Sequence, residues 1–379
     1  MPLVKPPELL DGTLDSAEDG LSEAGARCAR TAPADSVLVS CIGNLGKVGI
    51  NTVPVAFNQQ INAVLPDPAT AIPEFIFYQA LSPAFKAQLE SMATGTTVRI
   101  VNKSKFNDIE IVLAPLSEQR RIVAILDEAF EGIATAKANA EKNLQNARDL
   151  FESALDASLS HHGVDFAETT LADEIDLVAG YAFPSKGYTD AADGIRLLRG
   201  DNIMQGYLRW DDAKGWPADD VEPYARFVLK EGDVVLAMDR PWVKAGLKRA
   251  QIGPDDLPCL QLQRTARLRP RRSMSVDFLY HLTGSKSFSR HLLSVQTGLG
   301  VPHISGKQIE SFRFMLPSPN EQKTITSKLD DLQQRTERLE QIYQQKVTAL
   351  DELKKALLHQ TFSGALIDKT TEKRVAEVA

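Results

Sequence analysis

The sequence has no run of about 18 uninterrupted apolar residues, and its first twenty residues, MPLVKPPELLDGTLDSAEDG, lack the basic start and apolar stretch of a secretory signal. These absences argue against membrane insertion and export, so a cytoplasmic protein is expected. Cysteine is scarce: Cys28, Cys41 and Cys259 are scattered and odd in number, which fits reduced thiols better than a disulfide framework or a metal knuckle. The 6 histidines show no metal-ligand spacing, and His161-His162 read as a linker. No Asn/Asp-Pro-Pro-aromatic motif for amino-methyl transfer is present, no glycine-rich cofactor signature follows a strand, and GNLGKVG falls short of a phosphate loop. No catalysis, metal or cofactor is therefore expected of this chain. A surplus of positive charge is also missing. The formal charge of -7 excludes a generally basic nucleic-acid coat while leaving room for local patches. With 43% hydrophobic and 25% charged residues the chain is neither disordered nor fibrous, and 379 residues suffice for two or three domains.

What the sequence does contain is a repeat. PLSEQRRIVAILDE is echoed by PSPNEQKTITSKLDD, and placing Glu118-Gln119 on Glu321-Gln322 gives an offset of 203 residues. At that offset Phe75 meets Phe278, Ser82 meets Ser285, Phe85 meets Phe288, Leu89 meets Leu292, and Thr94-Gly95 meets Thr297-Gly298. After short gaps of the kind loops tolerate, Lys47, Gly49 and Ile50 fall on Lys244, Gly246 and Leu247, and LVKPPELLDG falls on LLRGDNIMQG. The chain reads as two copies of one unit.

Each copy begins with short β-branched runs punctuated by Gly, Pro, Asn and Asp, and includes a helical patch, which predicts a mixed α/β globule. Each copy then continues into a proline-free stretch with a period near 3.5, one long helix. The expected boundaries are a first globule over 1–116, a first helix over 117–161, a second globule over 162–318, a second helix over 319–361 and a tail over 362–379. Ser117 and Asn320 are the expected caps, with the following glutamate complementing the helix dipole.

The helices complement one another. The seam of the first is expected at Leu126, Ala129, Ile133, Ala136, Ala140, Asn143, Ala147, Leu150, Ala154 and Ala157, where small residues dominate. The seam of the second is expected at Leu329, Leu332, Thr336, Leu339, Tyr343, Lys346, Leu350, Leu353, Leu357 and Gln360, where large residues dominate. Alanine against leucine predicts pairing of the two helices with each other, antiparallel, as a coiled-coil spacer of roughly 65 Å at about 1.5 Å per residue. The fold class expected is α+β: two mixed α/β domains in tandem, separated and held apart by this coiled coil.

PLSEQRRIVAILDE, the long PSPNEQ...LLHQTFSGAL helix and VLVSCIGNLGKVGI...FNQQINAVLP together resemble the specificity (S) subunit of Type I restriction-modification systems, over nearly the whole chain from Leu3 to Leu366. The resemblance implies two target recognition domains, each reading one half of a bipartite sequence in double-stranded DNA. It implies that the helices set the half-site spacing and dock two methyltransferase (M) subunits, with restriction (R) subunits joining. S-adenosylmethionine, ATP and Mg would then belong to those partners. One departure stands out: the second unit has a lead-in, ETTLADEIDLVAGYAFPSKGYTDAADG, whereas Met1 already aligns with Ile195, so the first unit lacks it. The residues by themselves also admit a structural coiled-coil dimerisation protein, or the specificity subunit of another methyltransferase-based defence system.

Candidate DNA contacts follow from local charge. The densest basic stretch comprises Arg240, Lys244, Lys248, Arg249, Arg264, Arg267, Arg269, Arg271 and Arg272, suited to phosphate and, through arginine, to guanine. In QLQRTARLRP the alternation puts Arg267 and Arg269 on one face and Arg264 near a turn. Lys47 and Lys244 occupy repeated glycine-bearing loops after a strand, and Arg199 lies in LLRGDNIMQG. TGTTVRIVNKSKF offers Arg99, Lys103 and Lys105, and its repeat TGLGVPHISGKQI offers His303 and Lys307.

Overall fold

The four residues Val37–Ser40 are apolar or small, and all are buried, as a central strand covered on both faces requires. In the computed structural model, which describes residues 1–160, 166–190, 192, 194–244, 246–298, 301–363 and 373–375, this strand lies between Val48–Asn51 and Ile61–Val64. The equivalent strand Val234–Ala237, also buried throughout, lies between Arg249–Gln251 and Thr265–Pro270. The registers correspond: Val37 faces Ile50 and Val64, and Val234 faces Gln251 and Leu268. His161-His162 and most of the expected tail lie outside the described residues.

The chain divides into two units, Met1–Asn143 with Ile342–Ala379, and Leu144–Gln341. Each contains one sheet-based globule and one half of each long helix. In the first unit the helices Pro73–Leu81 and Pro83–Ser91 bring Phe75, Phe85 and Leu89 into the core, with Ser82 accepting from the Phe85 amide at 3.2 Å to cap the second of them. In the second unit Val276–Gly284 and Lys286–Val295 do the same with Phe278, Phe288 and Leu292, and Ser285 caps Phe288 at 3.1 Å. Repeated identities detected in the sequence are thus core anchors and caps, each buried Phe or Leu worth about 1.5 to 3 kcal/mol.

The lead-in of the second unit supplies three strands, one of them the short Thr189–Asp190 that pairs with Lys214–Trp216. Ala167–Thr170 pairs with Arg313–Leu316, and Ile175–Ala179 pairs with Thr265–Pro270. In the first unit the place of the first of these is taken by Lys373–Val375 from the far end of the chain, which pairs with Glu110–Val112 so that Val375 opposes Glu110 as Thr170 opposes Arg313. The edge is filled without a lead-in, because a strand edge accepts any chain that presents its amides in register.

The long helices run over Leu116–Ser160 and Pro319–Phe362. Asn320 does not cap the second: the Ser318 amide and hydroxyl donate to Glu321 Oε2 at 3.2 and 2.9 Å, and Ser318 Oγ accepts from the Glu321 amide at 3.4 Å. The matching place in the first helix is Pro115, whose carbonyl accepts from the Glu118 and Gln119 amides. Within the first unit Lys137 Nζ is 2.7 Å from Asp351 Oδ1 and Lys354 lies 5.1 Å from the Phe130 ring centroid, so the helix halves run antiparallel. Within the second unit Arg148 Nε is 2.9 Å from Glu340 Oε2.

Leu126, Ile133, Ala140 and Ala147 are buried and Ala129 and Ala136 half-buried, as the seam requires, but Asn143, Leu150 and Ala157 are exposed. In the second helix Leu329 and Thr336 are buried and Leu332, Tyr343, Leu350 and Leu357 half-buried, whereas Leu339 (39% exposed), Lys346, Leu353 and Gln360 face outward. Gln333, Glu340, Val347 and Lys354 take alternate seam places instead. At these places Glu340 pairs with Arg148 and Lys354 lies over the Phe130 ring. Ala140→Leu is expected to overpack the first unit's seam and lower stability by about 1 to 3 kcal/mol in urea denaturation; an unchanged midpoint would count against the pairing.

A further pair of repeated contacts ties globule to helix: the Tyr78 hydroxyl donates to Asp127 in the first unit, and His281 Nε2 sits 2.7 Å from Asp330 Oδ1 in the second. Burial pulls the His281 imidazole below its ordinary value, against the opposing pull of Asp330. The unfolded chain therefore binds this proton more readily than the folded one, and the associated stability is present above the ordinary value of about 6.5 and lost as pH falls below it. Acidification from about pH 8 to about pH 5.5 should lower the second unit's denaturation midpoint, and His281→Tyr, which copies Tyr78, should flatten the slope. Parallel slopes in the two proteins would show that His281 is not the group responsible.

Candidate nucleic-acid interface

In both units one backbone joint draws together the loops singled out in the sequence. In the first, the Cys41 amide donates to the Gln60 carbonyl (2.7 Å), the Val101 amide to the Cys41 carbonyl (2.8 Å), and the Gly43 amide to the Arg99 carbonyl (2.8 Å). In the second, Met238 donates to Arg264 (2.8 Å), Ile304 to Met238 (2.8 Å), and Arg240 to Pro302 (3.0 Å). Thr94 and Ile100 exchange backbone bonds as Thr297 and His303 do. Gly95 and Gly298 both adopt φ +96°, and a Cβ at either would lie 2.2 Å from the carbonyl oxygen of Val98 or Val301. Glycine is obligatory at both turns, for backbone freedom and for space.

The basic residues placed on these loops divide into three groups. Lys103, Arg240, Lys244, Arg264 and Lys307 are exposed. Lys244 sits between the short strands Trp242–Val243 and Gly246–Leu247, and the Trp242 indole fixes this hairpin by donating to Gln296 Oε1 at 2.8 Å. Arg99 is exposed with Nη2 on the Glu90 carbonyl (2.7 Å), Lys105 is half-buried with Nζ on the Met92 carbonyl (2.9 Å), and Lys47 and His303 are half-buried.

The third group is held by contacts within its own globule, with Lys248 and Arg267 buried and the others half-buried. Lys248 is 7% exposed, its Nζ 3.8 Å from Asp201, and burial pulls its ammonium below the usual lysine range against the attraction of that carboxylate. Arg249 stacks 4.2 Å from the Tyr280 ring centroid and donates from Nη1 to the Tyr280 carbonyl at 3.0 Å. Arg199 is held by Asp212, Nη2 to the carbonyl at 3.0 Å. Arg267 pairs with Asp176, and Arg269 pairs with Asp233 through Nε and Nη2 at 2.6 and 2.7 Å. The expectation of one continuous phosphate-binding stretch is corrected: 267 and 269 do share a strand face, but cross-strand carboxylates neutralise it.

Sequence reasoning passed over Asp239. Its Oδ1 bonds His303 Nδ1 and its Oδ2 lies 3.1 Å from Arg264 Nε, so a single acid organises two of the expected contacts. The available signal was an acid standing where the first unit has Ile42, directly after a buried strand.

The family model for the Type I restriction modification DNA specificity domain matches residues 24–145 and 207–349, taking in both joints and most of both helices. The chain belongs to this DNA specificity family. Among its relatives is the EcoAI specificity subunit of Escherichia coli, 40% identical over 166 residues, 43% of this chain but only 27% of that protein. The MjaVIII specificity subunit of Methanocaldococcus jannaschii is 25% identical over 335 residues, 85% of this chain and 75% of that one. The fold of this specificity-family member is similar to a chain solved in work on complex assembly and conformational transition of the type I R-M system, with TM-score 0.74, 21% identity, and coverage of 89% of this chain and 83% of that chain. It is also similar to the HsdS subunit from Thermoanaerobacter tengcongensis, with TM-score 0.54, 21% identity and the same coverage.

Proposed function

We propose that this chain is the sequence-reading subunit of a Type I restriction-modification complex, each globule contacting one half of a bipartite target in double-stranded DNA through its loop joint. The observation that carries the reading is the recurrence of one backbone joint in both units, presenting Lys47, Arg99 and Lys103 in the first and Arg240, Lys244, Arg264, His303 and Lys307 in the second. Two readers of one design suit a target of two separate halves. The chain itself performs no chemistry in this account. Two methyltransferase subunits and the restriction subunits would dock on it in the cytoplasm and bring S-adenosylmethionine, ATP and Mg. Exposed apolar side chains support docking along the helices, Ile342 and Leu353 in the first unit and Leu150 and Leu339 in the second.

Co-expression with the methyltransferase subunit and mapping of methylated bases should yield one bipartite motif; methylation without any shared motif would refute the reading. With a net charge of -7 the isolated chain should bind DNA weakly and with strong salt dependence. Replacing Lys244 and Lys307 together by alanine should weaken binding by the complex evenly across sequences and reduce the log–log salt slope by about 2. Tight, salt-insensitive binding by the chain alone would contradict the proposal.

A further inference from the structure

The two joints share their backbone bonds but differ in the side chains at four places on them. Where the first unit has Ile42, Gly43, Gln60 and Ile100, the second has Asp239, Arg240, Arg264 and His303. An apolar and amide set has been exchanged for a charged one without disturbing the frame. Arg240 and Arg264 hold φ of +46° and +66°, a left-handed conformation that side chains with a Cβ rarely adopt. Gly43, at the place of Arg240, holds φ of +78° without that penalty. Two arginines in disfavoured backbone, side by side at one joint, mark a place where the guanidinium itself is wanted.

Asp239 then decides how one of them is presented. Its side chain is 24% exposed and engaged on both oxygens, Oδ1 with His303 Nδ1 and Oδ2 with Arg264 Nε at 3.1 Å. A carboxylate only accepts, so His303 donates from Nδ1, and Nε2 has no partner among the described residues. Arg264 Nε lies 3.1 Å from Asp239 Oδ2 as an ion pair, the side chain is 69% exposed, and Nη1 and Nη2 have no partner among the described residues. That is the planar pair of donors matching guanine O6 and N7 in the major groove, and an acid behind the guanidinium keeps the fork from swinging to a phosphate.

We propose that Arg264 reads a guanine in the half-site of the second unit, and that Asp239 is the positioning residue that aims Arg264 and His303. The assignment rests on the DNA-reading function proposed above and adds the base and the residues. The test uses the full chain co-expressed with its methyltransferase subunit, with methylated motifs mapped for the wild type and for Arg264→Lys, Arg264→Ala and Asp239→Asn. Arg264→Lys keeps charge and tolerates the turn equally, but lacks the fork. It should cut discrimination at one G·C position of one half-site by about 10- to 100-fold while leaving the other half-site unchanged. Arg264→Ala should relax the same position, and Asp239→Asn should do so more weakly. A motif unaltered by all three, an even loss across all sites, or relaxation at an A·T position would overturn the proposal. A change in thermal stability of Asp239→Asn with the motif intact would also overturn it, reducing Asp239 to a structural part. Failure of the wild-type complex to methylate any bipartite motif would instead refute the functional reading itself, so the two failures are distinguishable.

Discussion

Replacing Gln322 by alanine is expected to destabilise the second unit by about 3 kcal/mol or more, and Gln119→Ala to do the same to the first. Each glutamine begins a long helix, is fully buried, and satisfies three backbone groups of its own globule. Gln322 Oε1 accepts from the Ser275 amide (2.8 Å), and its Nε2 donates to the Ser273 and Pro317 carbonyls (2.8 and 2.9 Å). Gln119 makes the same contacts to the Ile72 amide and to the Thr70 and Ala114 carbonyls (2.8, 2.8 and 2.7 Å). Truncation would strand one amide and two carbonyls, each costing about 1 to 3 kcal/mol when left unsatisfied. Gln322→Glu keeps the acceptor but sets a carboxylate oxygen against two carbonyls, so near neutral pH it should rescue little. Urea denaturation followed for both units checks the expectation, and a midpoint unmoved by either alanine would refute the joint as described. This joint is also the physical content of the doubled Glu-Gln phrase: it fixes each globule to its helix.

Asp233→Ala is expected to cost about 3 kcal/mol, at the lower end of what breaking a buried ion pair costs because Arg269 is 31% exposed. Asp233 is 1% exposed; besides its two bonds to Arg269, its Oδ2 accepts from the Lys230 amide at 2.8 Å. Asp233→Asn retains acceptor capacity and should lose less. Calorimetric melting distinguishes the series. Arg269→Gln provides the contrast with Arg264: it should lower stability and leave the DNA motif unchanged, since its charge is spent on the sheet. An altered motif in Arg269→Gln would reinstate that arginine as a DNA contact.

Those two arginines, five residues apart, show where legibility stops. Composition placed both in one basic stretch, and alternation correctly put 267 and 269 on a common face. Whether that face met solvent depended on Asp176, from another strand, and Asp233, directly ahead of one. Lys248 and Arg249 were misjudged for the same reason, since Asp201 and Tyr280 lie elsewhere in the sequence. Heptad spacing puts the leucines at 339 and 353 on the seam, yet both are exposed, and the half-buried neighbours Glu340 and Lys354 meet Arg148 and Phe130. Ser318 lay two residues before the expected cap, and its role shows only in its exchange with Glu321.

From the sequence alone came the duplication, the offset of 203 residues, the two long helices, the mixed α/β globules and the repeated glycine-bearing loops, because periodicity, proline and glycine placement and self-similarity are local properties that one strand of letters records. Tertiary structure alone decided that a carboxylate at 239 gathers Arg264 and His303, that Lys373–Val375 fills the edge beside Glu110–Val112, and which charges of the basic stretch are neutralised. The physical reason is common to all three. A charge or an unpaired strand edge is satisfied by whatever the fold brings within about 3 Å, and that distance has no fixed counterpart along the chain.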